Sequence, residues 1–449
     1  MSCSDKLNEV LNKIYIPNGD CIKGNITLLD KIDDAVIEWK SSRPEIITDK
    51  DSGKLRAGVV TRGGKDEKVL LEASVSMGTE KATKALEVTV KKAPAKINDE
   101  DYVGYLFGHF IGEEAENEEQ IYFAVSESGF NFKDKNNLQP VLVSNVGEKG
   151  VRDPYICRSA EGDRYFLIAT DLSIYHRGGW FINEQGYYDP STTGSQYLVL
   201  WESDDLVNWS EAKLLDVAPK NAGMAWAPEM IYNEETGEYI IFFSSSIMNP
   251  ETKYKEKPNT IYYVATRDFV HFSDTKIFID NQTDGEEGDR RREIIDTTVI
   301  KIGGWYYSVS KDGDNAEAGG GIRILKTKSL LDPGSWEKVL DMDELNISLE
   351  GRGITALDNS MLEGPEIFQL NQCDWADKNI PEYGIIADQY AVSGGYLPVV
   401  TTDLEDKDNS KKSWKLLSSE DYSFDKLKKR HGTIMRITRE ELERINKAF

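Results

Sequence analysis

Residues 199–209 carry the sequence VLWESDDLVNW, an apolar strand that ends in a serine, followed by an acidic-apolar turn and a closing aromatic residue. The same order of strand, Ser or Thr, turn and aromatic residue returns four more times, at residues 122–132, 263–272, 324–336 and 399–414. A unit that is repeated five times, and is too small to bury both of its own faces, indicates radial repetition. We therefore predict an all-β fold whose main part is a five-bladed β-propeller.

The copies are spaced more widely than the roughly 40–50 residues of an ordinary propeller blade. Long loops are therefore expected on one face of the ring. Helical periodicity is limited to residues 4–14 and 439–449. The propeller is expected to span residues 99–449.

The first part of the chain, residues 1–98, has a different pattern. Short segments of alternating polarity at residues 35–39, 58–61, 69–75 and 86–90 are separated by Gly, Asp and Ser turns. This pattern predicts an immunoglobulin-like β-sandwich, and it resembles bacterial immunoglobulin-like modules. The Lys- and Pro-containing residues 91–96 are typical of a solvated linker.

The charge balance limits the partners. The chain has 78 Asp and Glu against 54 Lys and Arg, a net charge of −24, which disfavours nucleic acid and anionic lipid. No apolar run reaches the roughly 18 residues that a membrane span needs. No signal peptide is visible, and the start fits a lipid-bearing Cys3 as well as an ordinary amino terminus. The acidic run at residues 113–119 is expected to form a solvated loop.

Three carboxylates begin apolar strands in different repeats: Asp153, Asp296 and Glu363. The innermost strands of a propeller run beside its axis, so residues at equivalent starts of these strands converge on one cavity. A single such residue is more simply explained as a turn or cap. Three unpaired carboxylates beside buried strands are costly for packing alone, and together they predict a functional site.

Four short motifs then occur in a characteristic order. They are Asp153-Pro154, Trp226-Ala227-Pro228-Glu229, Asp296-Thr297-Thr298 and Glu363-Gly364-Pro365. This ordered set, on a fivefold repeat from about residue 100 to 440, resembles glycoside hydrolase family 43. The resemblance implies a five-bladed propeller enzyme that inverts anomeric configuration. Activities in that family include α-L-arabinofuranosidase, β-xylosidase, arabinanase and galactanase.

The resemblance also implies roles. Asp153 would be the general base that activates water, Glu363 the general acid, and Asp296 the residue that tunes the pKa of the acid and orients it. An inverting pair leaves room for a water, with carboxyls about 6.5–9.5 Å apart. Glu366 is a rival acid, but three residues along a strand it should face away from Glu363. Glu229 is expected to be structural, or to support a catalytic residue, and not to act as the acid.

Further candidates surround these carboxylates. Arg152 would hold the base ionised or bind a sugar hydroxyl, with a salt-bridged turn as the alternative. Trp226 would form a wall of a sugar pocket, or pack between blades, and Trp180 would be a stacking platform, or a plug in the ring. By resemblance, His431 would line the central channel and approach a metal ion through water. No cofactor is required, but Ca²⁺ or Na⁺ in the channel is plausible.

Among the implied activities, we favour an exo-acting α-L-arabinofuranosidase, because the N-terminal module, residues 383–398 and residues 429–433 resemble extracellular family members that act on arabinose side chains. A β-xylosidase is the alternative, followed by an endo-arabinanase or a galactan-active enzyme. A carbohydrate-binding propeller is the non-enzyme alternative, and loss of one carboxylate would mark it. The partner is expected to be an arabinose- or xylose-containing oligo- or polysaccharide. The protein is expected to be a monomer, either extracellular or on a bacterial cell surface.

Overall fold

The structure is a computed structural model. It describes residues 3–180, 189–252, 255–280, 293–312, 321–342, 362–390 and 395–449. The side chains of Cys3, Ser4 and Lys257 lie outside the description, and so does the predicted lipid attachment at Cys3.

The N-terminal unit is a four-stranded antiparallel sheet, ordered β1-β2-β3-β4, with a helix on one face. Its elements are α1 (Cys3–Lys13), β1 (Lys31–Ile32), β2 (Ala35–Ser41), β3 (Glu67–Met77) and β4 (Glu80–Val90). Every second side chain of β3 is buried, which places one apolar face of the sheet against α1 and the segments before and after β2. The segment predicted at residues 58–61 forms only an isolated bridge, between Val60 and Ile47.

The rest of the chain forms five four-stranded antiparallel sheets, the five predicted blades. Blade I contains β5 (Tyr102–Phe110), β6 (Tyr122–Ser126), β7 (Lys133–Asp134) and β24 (Arg430–Thr438). Blade II contains β8 (Val151–Arg158), β9 (Tyr165–Asp171), β10 (Tyr197–Ser203) and β11 (Lys213–Asp216). Blade III contains β12 (Trp226–Asn233), β13 (Glu238–Met248), β14 (Lys255–Thr266) and β15 (Lys276–Ile279). Blade IV contains β16 (Ile294–Ile302), β17 (Trp305–Asp312), β18 (Gly321–Thr327) and β19 (Glu337–Asp341). Blade V contains β20 (Glu363–Gln369), β21 (Tyr383–Asp388), β22 (Tyr396–Thr401) and β23 (Trp414–Leu416).

The first strand of each sheet lies at the centre of the ring. These inner strands contact one another in the cyclic order β8, β12, β16, β20, β24 and back to β8. Strand β24 comes from the end of the chain and pairs with β5, so the last strand completes the first blade. This pairing closes the ring and leaves no inner edge exposed.

The repeated sequence unit corresponds to the third strand of each blade and the turn after it. Its Ser or Thr is buried and accepts a hydrogen bond from a backbone N–H two residues further on. In blade III, Thr266 Oγ1 accepts from Asp268 N at 3.3 Å and from Phe269 N at 2.9 Å. The same bond forms at Ser126, Ser203, Thr327 and Thr401. The hydroxyl recurs because it satisfies the turn that leads into the outer strand.

The inner strands carry a β-bulge near their starts. The pairing register shifts after Arg152 in β8, Trp226 in β12, Ile295 in β16 and Glu363 in β20. The next residue in each strand has a positive φ: Asp153, Ala227, Asp296 and Gly364. In β24 the register shifts between Arg430 and Gly432. A bulge bends a strand and redirects its side chains, so these irregular starts of all five inner strands determine what faces the central cavity.

The helical prediction is confirmed at both ends of the chain, by α1 and by α4 (Arg439–Ala448). Two short helices were not predicted, α2 (Ile174–Arg177) and α3 (Pro190–Thr193), in the connection between β9 and β10. Each is a single turn with a side-chain cap, from Ser173 and Asp189, and is too short to show a periodicity. None of the helices in the described ranges is long and apolar enough to cross a membrane.

The N-terminal unit docks on the face of the ring that is opposite the bulges. Arg62 binds Asp163 in the turn between β8 and β9, with Nη2 2.6 Å from Oδ2. Asn25 donates to the Gly237 carbonyl in the turn between β12 and β13, at 3.0 Å. In the other direction, Arg267 of blade III donates to the Ala57 carbonyl at 2.8 Å. Both turns follow the far ends of their inner strands, so this unit leaves the bulged ends open.

Candidate active site

A cavity of about 410 Å³ opens at the bulged ends of the inner strands. Its lining includes all seven residues that the sequence predicted for the site, namely Arg152, Asp153, Trp180, Trp226, Asp296, Glu363 and His431. They come from all five blades and from the loop after β9. Their sequence separation shows that the fold, and not a local motif, assembles the cavity.

The sequence suggested that the three carboxylates occupy equivalent positions in their strands. In the structure their positions differ. Asp153 and Asp296 are the positive-φ residues of their bulges, with φ of 50° and 51°. Glu363 precedes the positive-φ residue of its own bulge, Gly364. Both positions face the cavity because the bulge breaks the strict alternation of side chains.

His431 lies between two of the carboxylates. Its Nδ1 is 3.3 Å from Asp153 Oδ1 and 4.0 Å from Asp296 Oδ1. Burial disfavours a charged imidazole, but the two carboxylates outweigh burial and raise the pKa of His431 to about 9. The ring is therefore a cation at neutral pH that joins the two aspartates.

The two aspartates differ in protonation behaviour. Burial disfavours the ionised form of Asp153, but the hydrogen bond from His431 and the charge of Arg152 outweigh burial and lower its pKa. Thr170 Oγ1 also donates to Asp153 Oδ2 at 2.8 Å. Burial raises the pKa of Asp296, and the charge of Asp153 adds to this effect, against the opposing charge of His431. An ionised Asp153 at neutral pH has the properties that a general base needs.

Gly364 packs against His431 and binds Asp296. Its N–H donates to Asp296 Oδ2 at 3.1 Å. A Cβ on Gly364 would lie 2.6 Å from His431 Cγ, and its φ of 50° also disfavours a side chain. The glycine in the Glu-Gly-Pro motif thus lets the strand of Glu363 approach the histidine closely.

Two basic side chains contact Glu363, and the sequence did not predict either. Arg430 Nη2 donates to Glu363 Oε1 at 3.1 Å, and Lys311 Nζ is 3.4 Å from Oε2. Arg430 is held in turn by Asp388, with Nε 2.5 Å from Oδ2. These contacts fix the carboxylate between blades I and IV.

Arg152 and Trp180 are joined by Glu113. Arg152 Nη1 donates to Glu113 Oε2 at 2.5 Å, and Trp180 Nε1 donates to Glu113 Oε1 at 2.8 Å. The guanidinium carbon of Arg152 lies 5.1 Å from the Trp180 ring centroid. Trp180 and Trp226 meet edge to face, with centroids 6.3 Å apart at 86°. The two indoles form adjoining walls of the cavity, and Arg152 takes part in a salt bridge, as in the alternative considered for it.

The prediction of a solvated loop at residues 113–119 is correct for Glu114, Glu116 and Asn117, which are exposed, and wrong for the two ends of the run. Glu113 lines the cavity, and Glu119 is fully buried. Glu119 Oε1 accepts from Arg152 Nη1 at 3.0 Å and from Ile174 N at 2.8 Å. The charge of Glu119 is compensated by the backbone at the start of α2 and by Arg152. Both partners are distant in sequence, so the acidic run itself does not indicate them.

A second pair of carboxyls lies in the channel. Glu229 and Glu366 are 5 % and 3 % exposed, and Thr298 Oγ1 donates to Glu366 Oε2 at 3.2 Å. Burial raises the pKa of Glu366 to about 8, and burial together with the neighbouring Glu366 raises the pKa of Glu229 well above its ordinary value. Neither residue is among those that line the cavity, and the bulge separates Glu366 from Glu363.

The described residues contain no group of three or more His, Cys, Asp or Glu that is arranged to hold a metal ion. The Nδ1 of His431 faces the carboxylates of Asp153 and Asp296.

Five cavity residues besides Glu113 were not singled out from the sequence: Phe110, Leu172, Ile295, Tyr390 and Arg430. Arg430 adjoins His431, and Ile295 adjoins Asp296, so proximity to a predicted residue was the available signal. Phe110 and Tyr390 lie where a strand ends or has just ended, and nothing in their local sequence separates them from core aromatic residues.

The arrangement suits acid–base chemistry. It offers an ionised aspartate, a second carboxyl joined to it through a cationic imidazole, and a glutamate on another blade. Indole walls that enclose such a pocket suit a ligand with apolar ring faces and polar edges.

Comparison with known proteins identifies the family of the chain. Residues 100–443 match the model of a family described as a probable glycosyl hydrolase domain, related to glycosyl hydrolase family 43. Residues 11–93 match the model of an atrophied bacterial Ig domain. An α-L-arabinofuranosidase from Bifidobacterium longum subsp. longum is 32 % identical over 421 residues, which cover 85 % of this chain and 36 % of that protein. The chain thus spans little more than a third of the length of this relative.

Solved structures with similar chains include an endo-1,4-beta-xylanase from Bacteroides thetaiotaomicron. It is 12 % identical, has a TM-score of 0.43, and the match covers 70 % of this chain and 90 % of that one. Another is an alpha-L-arabinofuranosidase from Lactobacillus brevis, 16 % identical, with a TM-score of 0.36 and coverage of 62 % and 74 %.

Proposed function

The chain belongs to the family of probable glycosyl hydrolase domains related to family 43, and from this membership we propose that it is an inverting, exo-acting α-L-arabinofuranosidase. The observation that carries the proposal is the presence of Asp153, Asp296 and Glu363 in one cavity. The identity of 32 % with the Bifidobacterium protein supports the choice of arabinofuranose. The substrate is an arabinose-containing oligo- or polysaccharide.

The proposed reaction is a single displacement. Glu363 donates its proton to the glycosidic oxygen as the bond from that oxygen to the anomeric carbon breaks. A water attacks the anomeric carbon from the opposite face, and Asp153 takes one of its protons. The sugar leaves with inverted configuration, the aglycone leaves as an alcohol, and the site regains its starting state when the proton returns from Asp153 to Glu363 through solvent.

Asp296 and His431 support this pair. In the proposal, Asp296 tunes and orients the acid, and its bond to the Gly364 N–H connects it to the backbone next to Glu363. His431 keeps Asp153 ionised through its positive charge. The charge is retained until the pH rises through about 9, so it is present under ordinary conditions.

The sugar is held by the cavity walls. Trp180 and Trp226 offer indole surfaces that stack on the apolar face of a sugar ring. Arg152 is paired with Glu113 and Glu119, and its part in the proposal is to hold Trp180 and the base, with a direct contact to a sugar hydroxyl as a further role.

We also propose that the protein is a monomer and that it is extracellular or lies on a bacterial cell surface, in keeping with the bacterial Ig domain. A structural Ca²⁺ or Na⁺ in the channel would contact His431 only through water, and no step of the reaction uses such an ion. Dialysis against EDTA is therefore expected to leave the hydrolysis rate within about twofold of the untreated protein.

Hydrolysis of two aryl glycosides tests the proposal. The wild type is expected to cleave 4-nitrophenyl α-L-arabinofuranoside faster than the β-D-xylopyranoside. Glu363→Gln should lower kcat on a natural arabinoside by at least about 100-fold, because it removes the proton donor. The control Glu211→Gln changes an exposed carboxylate outside the cavity and should retain the wild-type rate.

The configuration of the first product, followed by proton NMR, tests inversion. Equal rates for the wild type and Glu363→Gln would reject the acid, and retained configuration would reject the single displacement. Faster cleavage of the xyloside would establish the β-xylosidase alternative. Binding of an oligosaccharide without hydrolysis of any arabinoside or xyloside would establish a carbohydrate-binding propeller.

A further inference from the structure

The cavity has two sides that carry different parts of the site. Asp153 and Trp226 belong to blades II and III, and Trp180 follows blade II. Glu363 and Lys311 belong to blades V and IV. In a ring of five blades, blade V is separated from blades II and III by one blade on either side, so Glu363 and the indole walls face each other across the axis.

Tyr390 is an exposed aromatic residue on the Glu363 side. It follows β21 of blade V, lines the cavity and is 38 % exposed. Lys311 Nζ lies 4.4 Å from its ring centroid and 3.4 Å from Glu363 Oε2. One ammonium group therefore holds the ring and the carboxylate in a fixed relation.

The chemistry of the proposed reaction assigns the two sides. The acid must reach the oxygen of the bond that breaks, so the group that leaves with this oxygen lies on the Glu363 side. The attacking water must approach from the other side, next to Asp153. A ring that lies beside Glu363 and is exposed to solvent thus meets the leaving group, whereas Trp180 and Trp226 meet the sugar that is transferred to water.

From this we propose that Tyr390 is the stacking platform for the first sugar of the leaving group, and so a specificity-determining residue for oligosaccharide substrates. The inference rests on the proposed function and assigns the binding position that the indole walls do not supply. Lys311 supports it by holding the ring next to Glu363. The partner of this platform is a sugar ring that presents an apolar face.

The test compares two substrates that share the transferred sugar and differ in the leaving group. Methyl α-L-arabinofuranoside releases methanol, and arabinotriose releases a disaccharide. In Tyr390→Ala, kcat/KM for arabinotriose is expected to fall by about three- to tenfold, as for the loss of one stacking contact, while kcat/KM for the methyl glycoside stays within twofold. Tyr390→Phe keeps the ring and should retain both values.

Tyr197→Ala is the matched control, because Tyr197 is 40 % exposed and is not among the residues that line the cavity. It should leave both substrates unaffected. Trp180→Ala should reduce kcat/KM for both substrates by similar factors, since both place the same sugar against the indole.

Two outcomes would overturn the inference. Equal losses on both substrates in Tyr390→Ala would place Tyr390 against the transferred sugar, and no loss on either would remove it from the site. If the wild type cleaves neither substrate, the proposed function fails, and calorimetric binding of arabinotriose and xylotriose then decides the inference. Weaker binding to Tyr390→Ala than to the wild type would support the platform, and equal or absent binding would reject it.

Discussion

Gly364 joins the strand of the proposed acid to the histidine that two aspartates share. Its backbone has φ near 50°, and a methyl group there would lie 2.6 Å from His431 Cγ. Gly303 in the turn between β16 and β17 has a similar φ of 56°, but nothing lies within 4 Å of its Cβ position. Alanine substitutions at the two glycines can therefore distinguish two destabilising effects. A substitution at Gly303 tests the left-handed backbone alone, and one at Gly364 adds the steric clash with His431.

We expect Gly303→Ala to lower the free energy of unfolding by about 1 kcal/mol, because of its left-handed backbone alone. Gly364→Ala should lower it by more than about 2 kcal/mol and reduce kcat by about 100-fold, since a displaced His431 alters the geometry of both aspartates. Urea denaturation and glycoside hydrolysis measure the two effects. Equal behaviour of the two variants would show that the contact with His431 has no consequence.

Glu366 belongs to a buried carboxyl pair and gives a prediction for pH. Burial raises its folded-state pKa from 4.5 to about 8, so the folded protein binds a proton that the unfolded chain releases. The stability that goes with this proton is fully present below about pH 4.5 and is lost as the pH rises through about 8. Glu366→Gln cannot lose a proton there.

The free energy of unfolding of the wild type should therefore fall from pH 5 to pH 9. That of Glu366→Gln should fall less, and the two decreases should differ by more than about 1 kcal/mol. Urea denaturation at several pH values measures both curves. Parallel curves would mean that Glu366 is ionised in the folded protein throughout this range.

At the scale of elements, α4 is attached to blades I and II by Glu441. This carboxylate accepts from Arg158 Nη2 at 2.6 Å and from the Thr438 N–H at 2.7 Å, and it also contacts the Tyr165 hydroxyl. Burial opposes its ionisation, but the charge of Arg158 outweighs burial and lowers its pKa below 4.5. Its stabilisation is thus present above about pH 4.5 and is lost as the pH falls through the lowered value.

Glu441→Gln should lower the free energy of unfolding at pH 7 by about 3 kcal/mol, because it leaves Arg158 buried without its partner. The difference from the wild type should shrink toward pH 3. Glu440→Gln, one residue earlier and 88 % exposed, should change stability by less than about 0.5 kcal/mol. A difference for Glu441→Gln that does not depend on pH would assign the effect to packing and not to charge.

Some elements were predictable from sequence and others were not, for physical reasons. The third strands of the blades can be recognised in the sequence, because a buried hydroxyl, a turn and an aromatic residue must follow one another within about ten residues, as in residues 199–209. The bulges of the inner strands could not be predicted from the sequence. Asp153 and Glu363 both stand at the start of an apolar strand, although they occupy different positions in their bulges. Glu119 was misjudged because its partners lie far along the chain.

At the scale of the whole molecule, the N-terminal unit and the cavity lie on opposite faces of the ring. Arg62 is largely buried where they meet, and it binds Asp163 as well as the Lys23 and Lys91 carbonyls. Lys54 and Glu235 also pair across this contact, but both are exposed. Since burial decides what an ion pair contributes, the two pairs should differ in their effect.

Arg62→Ala is expected to lower the free energy of unfolding by about 3 kcal/mol, and Lys54→Ala by less than about 1 kcal/mol. Neither variant should change kcat/KM on an aryl glycoside by more than twofold, because the bulged ends of the inner strands lie on the other face. A selective loss of activity in Arg62→Ala, without a loss of stability, would show that the N-terminal unit influences the cavity through the ring.

The pairing of β24 with β5 has a consequence for biosynthesis. A ribosome makes Arg430 and His431 only after all other residues of the cavity, and the strand that bears them is also the one that closes the ring. A nascent polypeptide that is interrupted before this point lacks both His431, the cation between the aspartates, and the strand β24 that closes the ring of blades. In the proposed function, hydrolysis therefore requires that synthesis has passed β24, and a translation product that stops before Arg430 is expected to be inactive.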